Sequence, residues 1–152
     1  MKILDILKPD MIIPDLQSDT KNGVLEELAA KVAPEAGMSR EDIQKVLMER
    51  EKLGSTGMER GVAIPHAKLK GISKVIACFA KSLNGVDFSA LDGQKSYLFF
   101  LLLAPENFAG EHLKALARIS RLTKNPQFRE SLLKAQTKEE LFKIIEEEDL
   151  RT

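Results

Sequence analysis

One cysteine, two histidines and no net charge restrict what this 152-residue chain can be. A lone thiol cannot close an internal disulfide. Cys78 also lies within the apolar run at residues 75–80, where it reads as a small buried hydrophobe, so a reducing compartment, the cytoplasm, is the expected location. The 23 basic and 23 acidic residues are interspersed, which leaves no basic stripe for a polyanion, and nucleic acid is not an expected partner. No apolar run reaches bilayer-spanning length. Residues 1–8 are interrupted by Asp5 and carry no small-residue cleavage signal, so any membrane association is expected to be indirect.

Several chemistries lack their signatures. There is no Gly-x-x-x-x-Gly-Lys-Ser/Thr loop; Gly57-Met-Glu-Arg-Gly61 has the wrong spacing, and a nucleotide is not an expected substrate. Two histidines with no His-x-x-x-His or cysteine pair give no metal site. Ser55 and Thr56 precede His66, but neither hydroxyl sits in a Gly-x-Ser-x-Gly elbow, which argues against a serine hydrolase.

The length fits one domain over residues 1–152. Ile3, Leu4, Ile6 and Leu7 suggest a short amphipathic helix, and Met11, Ile12 and Ile13 before Pro14 a brief edge strand. Val24, Leu25, Leu28, Ala29 and Val32 recur at helical spacing from Lys21 until the break at Pro34 to Gly37. Ser39 with Asp42 resembles a capping box and opens a second helix to about Lys52, which carries Arg50. The runs at 74–81 and 96–104 are apolar at odd and even positions alike, as in central strands covered on both faces. Asn84-Gly85 and Asp92-Gly93 read as turns, with Val86 and Phe88 in a short extra strand between them. Leu113, Leu116, Ala117 and Ser120 form a helical face after Gly110. Asn125-Pro126 and Thr137 with Glu140 open two further helices, and residues 146–149 read as a solvated, frayed end. The expected fold is α/β, a central mixed sheet of four or five strands flanked by helices on both faces.

The chain is organised around residues 54–68. Gly54, Gly57 and Gly61 permit tight turns and uncovered backbone N–H groups, and Val62, Ala63 and Ile64 read as a short strand. Pro65 keeps Ile64 extended, so that His66 emerges at that strand's end. A rigidly held imidazole with an arginine upstream and a second histidine downstream suits a phosphoryl group. Neutral imidazole offers one lone pair to phosphorus. A guanidinium can bind two equatorial oxygens, and loop amides at Ser55, Thr56 and Gly57 can complete a cradle. His112, near a helix N-terminus, is expected to stay neutral and donate one N–H to the phosphate.

The residues Arg50-Glu-Lys-Leu-Gly-Ser-Thr-Gly57 and Gly61-Val-Ala-Ile-Pro-His-Ala-Lys68, with His112 downstream, resemble the IIA component of the fructose and mannitol class of the bacterial sugar phosphotransferase system. That group includes nitrogen-regulatory IIA proteins, and the likeness covers nearly the whole chain. The resemblance implies that His66 accepts a phosphoryl group from the phosphohistidine of an HPr-type carrier. It then passes the group to a cysteine on the IIB domain of a sugar permease, with Arg50 and His112 lining the phosphate site and no cofactor. In the alternative, nitrogen-type reading, the phosphorylation state of His66 switches binding to a target protein. Ala67 stands where many relatives carry glycine, and Met58-Glu-Arg60 is bulkier than the small residues often found there.

Overall fold

A computed structural model describes all of residues 1–152. Five helices and five strands follow a short 3₁₀ turn at Ile3–Asp5: β1 (Ile12–Ile13), α1 (Lys21–Ala36), α2 (Arg40–Lys52), β2 (Val62–Ala63), β3 (His66–Leu69), β4 (Ile76–Val86), β5 (Ser96–Pro105), α3 (Ala109–Thr123), α4 (Pro126–Lys134) and α5 (Lys138–Arg151). The strands form one mixed sheet. β4 and β5 pair antiparallel at its centre, β1 runs parallel to β4 at one edge, and β2 and β3 run parallel to β5 at the other.

The two central strands are buried along almost their whole length, as runs without alternation require, and helices cover both faces of the sheet. α1 packs on β4, α2 on β3, and α3 and α4 on β5. The result is one contiguous core that includes Phe79, Phe99, Phe100 and Phe88. No helix is long and apolar enough to cross a membrane.

The helix starts follow their caps. Thr20, Ser39, Asn125 and Thr137 each accept a backbone N–H from the first turn they precede, and Gly37 ends α1 in the left-handed conformation at φ 67°. Pro34 lies inside the last turn of α1 and does not end it.

Five sequence expectations are corrected. The N-terminal helix is only the 3₁₀ turn, because Pro9 disfavours helical geometry at Lys8 and the next segment turns toward β1. His66 opens β3 instead of closing the strand before it, since Pro65 interrupts one parallel edge into two short pieces. Asn84-Gly85 makes no turn: β4 continues to Val86 through a register irregularity between Lys81 and Val86. Gly85 sits there at φ 80°, where a Cβ would lie 2.7 Å from Cζ of Tyr97.

On α3 the buried face is His112, Ala115, Ile119 and Leu122, while Leu113 is 68% exposed. The inward face is therefore rotated by about one position from the one the leucines suggest. The acidic C-terminal run is not all solvated, because Asp149 is buried. Its carboxylate accepts the N–H groups of Ile3 (3.0 Å) and Leu4 (3.2 Å) and pairs with Arg118 at 2.7 Å, clasping the two chain ends together.

Candidate functional site

Three elements converge on one cleft. α2 ends beside it, and in its last turn Arg50 donates from Nη1 to the Gly54 carbonyl at 2.8 Å. That bond fixes the guanidinium at the negative end of the helix dipole, where a cation is favoured. β3 brings His66 to the same place. Period-two alternation along β3 turns Ala67 and Leu69 into the core and leaves His66 and Lys68 on the cleft side. α3 supplies His112 from its first turn, anchored by the bond from its N–H to the Phe108 carbonyl.

Nδ1 of His66 lies 2.8 Å from the carbonyl oxygen of Ile64. A carbonyl can only accept, so Nδ1 carries the hydrogen and the ring lone pair resides on Nε2. Burial holds His66 below the usual histidine range. The carbonyl bond opposes that shift, and the charge of Arg50 adds to it. The imidazole is thus kept neutral with one reactive nitrogen.

The His112 ring meets His66 edge-on, with centroids 5.4 Å apart and planes at 71°. His112 is 5% exposed, and burial, followed by the charges of His66 and Lys68, pushes it down to about 4. Its Nε2 is buried without a hydrogen-bond partner. Most buried polar atoms are paired, so an orphan beside an open cleft marks a place where a ligand atom can complete it.

The cleft, of about 650 Å³, is also lined by Val46, Leu53, Ala109, Leu113 and Leu116. Leu53 and Leu113 stand 85% and 68% exposed at its rim, a pairing of apolar surface with a polar floor that suits a protein partner. Arg50, His66 and His112 are therefore brought together as the sequence predicts.

Ser55, Thr56 and Gly57 do not line this cleft. The Thr56 N–H donates to Oε1 of Glu51 at 3.0 Å and the Gly57 N–H to Oγ of Ser55 at 3.0 Å, while Ser55 itself donates to the Phe88 carbonyl at 2.7 Å. Two of the amides expected to cradle phosphate are committed inside the loop. Gly57 is needed for packing: a Cβ there would lie 2.9 Å from both Ala90 Cα and the Phe88 oxygen.

The structure adds Lys68, Leu53 and Leu113 to the site. Lys68 was legible in principle, since two residues along a strand share a face. The leucines were not, because exposed and buried leucines look alike in sequence.

Comparison with known proteins places this geometry in context. Residues 5–148 match the family model "Phosphoenolpyruvate-dependent sugar phosphotransferase system, EIIA 2". A nitrogen regulatory protein of Bradyrhizobium diazoefficiens is 41% identical over 145 residues, covering 95% of each chain. A fructose-specific EIIABC component of Bacillus subtilis is 34% identical over 151 residues, which cover 98% of this chain and 24% of that protein. Among solved structures, the nitrogen regulatory protein IIA-Ntr of Neisseria meningitidis superposes with a TM-score of 0.89 at 36% identity, over 94% of this chain and 98% of that one.

Proposed function

This chain belongs to the EIIA 2 family of the phosphoenolpyruvate-dependent sugar phosphotransferase system, and from that premise we propose that it carries a phosphoryl group on Nε2 of His66. The observation that supports this most directly is the Nδ1 bond to Ile64, which leaves Nε2 as the free nucleophilic atom of the His66 ring. In the transfer, the Nε2 lone pair forms a new N–P bond while the donor's bond to phosphorus breaks and its electron pair returns to the donor imidazole. No proton has to move. Nδ1–H stays on the Ile64 carbonyl, which stabilises the positive charge gained by the ring.

Charge on the equatorial oxygens is met by Arg50, with Lys68 as a second cation at the mouth of the cleft. His112 donates its orphan Nε2–H to one oxygen. Because it stays neutral, it stabilises the phosphohistidine without adding a fixed charge that would hold the phosphoryl group back. Arg50→Ala slows transfer by a factor on the order of 10²–10³, the usual worth of one preorganised donor in a shielded site. Stopped-flow or quench measurements with a phosphorylated HPr-type donor test this, and an Arg50→Ala protein relaying at the native rate refutes the clamp.

The donor is an HPr-type carrier that docks on the Leu53 and Leu113 rim in the cytoplasm. Two outputs fit. In sugar uptake the phosphoryl group passes to the cysteine of a IIB domain of a fructose- or mannitol-type permease. In the nitrogen-type reading, its presence on His66 switches affinity for a target protein. Identity of 41% to a nitrogen regulatory protein over 95% of each chain favours the second, against 36% to a fructose-specific EIIA component over 84% of each. Incubating the phosphorylated chain with IIB domains decides between them: rapid loss of the label to a IIB cysteine supports uptake, and retention with state-dependent capture of another protein supports regulation.

A further inference from the structure

We infer that Glu51, paired with Lys21, is the positioning residue that sets His66 for transfer, an inference that deepens the carrier reading above and rests on it. The Glu51 side chain is 7% exposed and accepts Lys21 Nζ at 2.9 Å. Its carboxylate also accepts both the backbone N–H and the hydroxyl of Thr56. Lys21 is held from three further directions. Its Nζ reaches Ser55 Oγ at 3.4 Å and the Phe88 carbonyl at 3.3 Å, and lies 4.7 Å from the centre of the Phe88 ring.

Two hydrogen-bonded paths lead from Glu51 to the chemistry, one from its side chain and one from its main chain. In the first, Thr56 is fixed by Glu51 and its carbonyl accepts the Ile64 N–H at 3.0 Å; the Ile64 carbonyl then takes Nδ1–H of His66 at 2.8 Å. In the second, the Glu51 carbonyl accepts the Gly54 N–H at 3.1 Å, and the Gly54 carbonyl holds Arg50. One carboxylate on α2, neutralised by one ammonium on α1, therefore sits at the root of the path that sets the tautomer of the nucleophile, while Arg50 is placed by the main chain at the end of the same helix.

The glycine-bearing loop acts as the link between them. An ion pair shielded from water costs desolvation free energy that apolar packing would avoid, and a geometry that must be held is one reason to keep it. A reacting group misplaced by about 1 Å can lose on the order of 10²-fold in rate.

The test uses the full-length chain with ¹⁵N-labelled histidine. Two-bond ring spectra report the tautomers of His66 and His112, and the phosphoryl-transfer rate is measured in parallel. Glu51→Ala is expected to lower the rate about 10- to 100-fold. The Nδ1–H tautomer of His66 gives way to a mixture while the His112 spectrum stays unchanged.

Glu51→Gln, which keeps an acceptor for the Thr56 amide, recovers the tautomer and most of the rate. If Glu51→Ala does not fold, Lys21→Met removes the counter-ion and Thr56→Val the hydroxyl bond to the carboxylate, and each gives the same directional shift. Thr137→Ala, a cap remote from the cleft, lowers stability without changing rate or tautomer.

A Glu51→Ala protein with the native His66 tautomer and a rate within about twofold of native overturns the positioning role, even where His66→Gln is inactive and the carrier reading stands. The spectra need no phosphoryl donor. They therefore test the strut separately from the carrier reading, which a normally active His66→Gln protein would overturn on its own.

Discussion

Acidification through the range in which histidine ordinarily titrates should destabilise this protein by way of His112. In the folded state its imidazole is pushed down to about 4 by burial and by the neighbouring charges of His66 and Lys68. In the unfolded chain it titrates near 6.5. Between those values the unfolded state binds more protons, so stability is complete above about pH 6.5 and is lost as pH falls toward 4. The gap of about 2.5 units, at about 1.4 kcal/mol per unit, amounts to roughly 3 kcal/mol, most of it lost by pH 4.5.

His66 contributes in the same direction, because its folded value also lies below the ordinary one. The measurement that isolates His112 is the difference between the native chain and His112→Gln in urea midpoints at pH 7.5, 6.5, 5.5 and 4.5. With a slope of about 1–3 kcal/mol per molar urea, native protein should lose about 1–3 M of midpoint relative to the variant across that range. Parallel pH curves for the two proteins, or a His112 titration midpoint near 6.5 by NMR, would refute the reasoning.

Two further outcomes follow from other parts of the fold. Asp149→Ala leaves the part-buried Arg118 with only the main-chain carbonyl of residue 149 and two amides without an acceptor, so it should cost about 3 kcal/mol and lower the thermal midpoint by roughly 10 °C, with the transfer rate at 20 °C retained. Calorimetry alongside the transfer assay checks both halves. Leu53→Asp with Leu113→Asp removes the apolar rim without touching the core, and should raise KM for a phosphorylated donor about tenfold while leaving the thermal midpoint within a few degrees.

The parts of the fold readable from the sequence were those specified by local chemistry. Thr20 was not singled out, but Ser39, Asn125 and Thr137 announce their helices because a side-chain oxygen one turn ahead of an apolar stripe has few other uses. The unbroken apolar runs of β4 and β5 carry the signature of strands covered on both faces, and that is what they form.

Failures arose where tertiary contacts overrode local preference. Asn84-Gly85 is a hairpin signal by composition, yet β4 passes through it because the missing Cβ of Gly85 makes room for Tyr97. Asp149 reads as one more acid in a charged tail until α5 is seen to lie beside the N-terminus. At the site, Arg50, His66 and His112 could be named because each is chemically distinctive at its position. The use of the loop was misjudged: whether an amide is free depends on what packs behind it, and here Glu51 and Ser55 had already taken two of them.

The central claim, that His66 is the phosphoryl-bearing residue, is met most directly by intact mass. Native chain and His66→Gln are each incubated with phosphoenolpyruvate, Enzyme I and an HPr-type carrier, using both sugar-type and nitrogen-type donor pairs, and then washed with acid. The account predicts that the native chain gains one phosphoryl group, that acid removes it, as expected of an N–P bond, and that the variant gains none. An unmodified native chain with both active donor pairs, or an equal gain in His66→Gln, would contradict it.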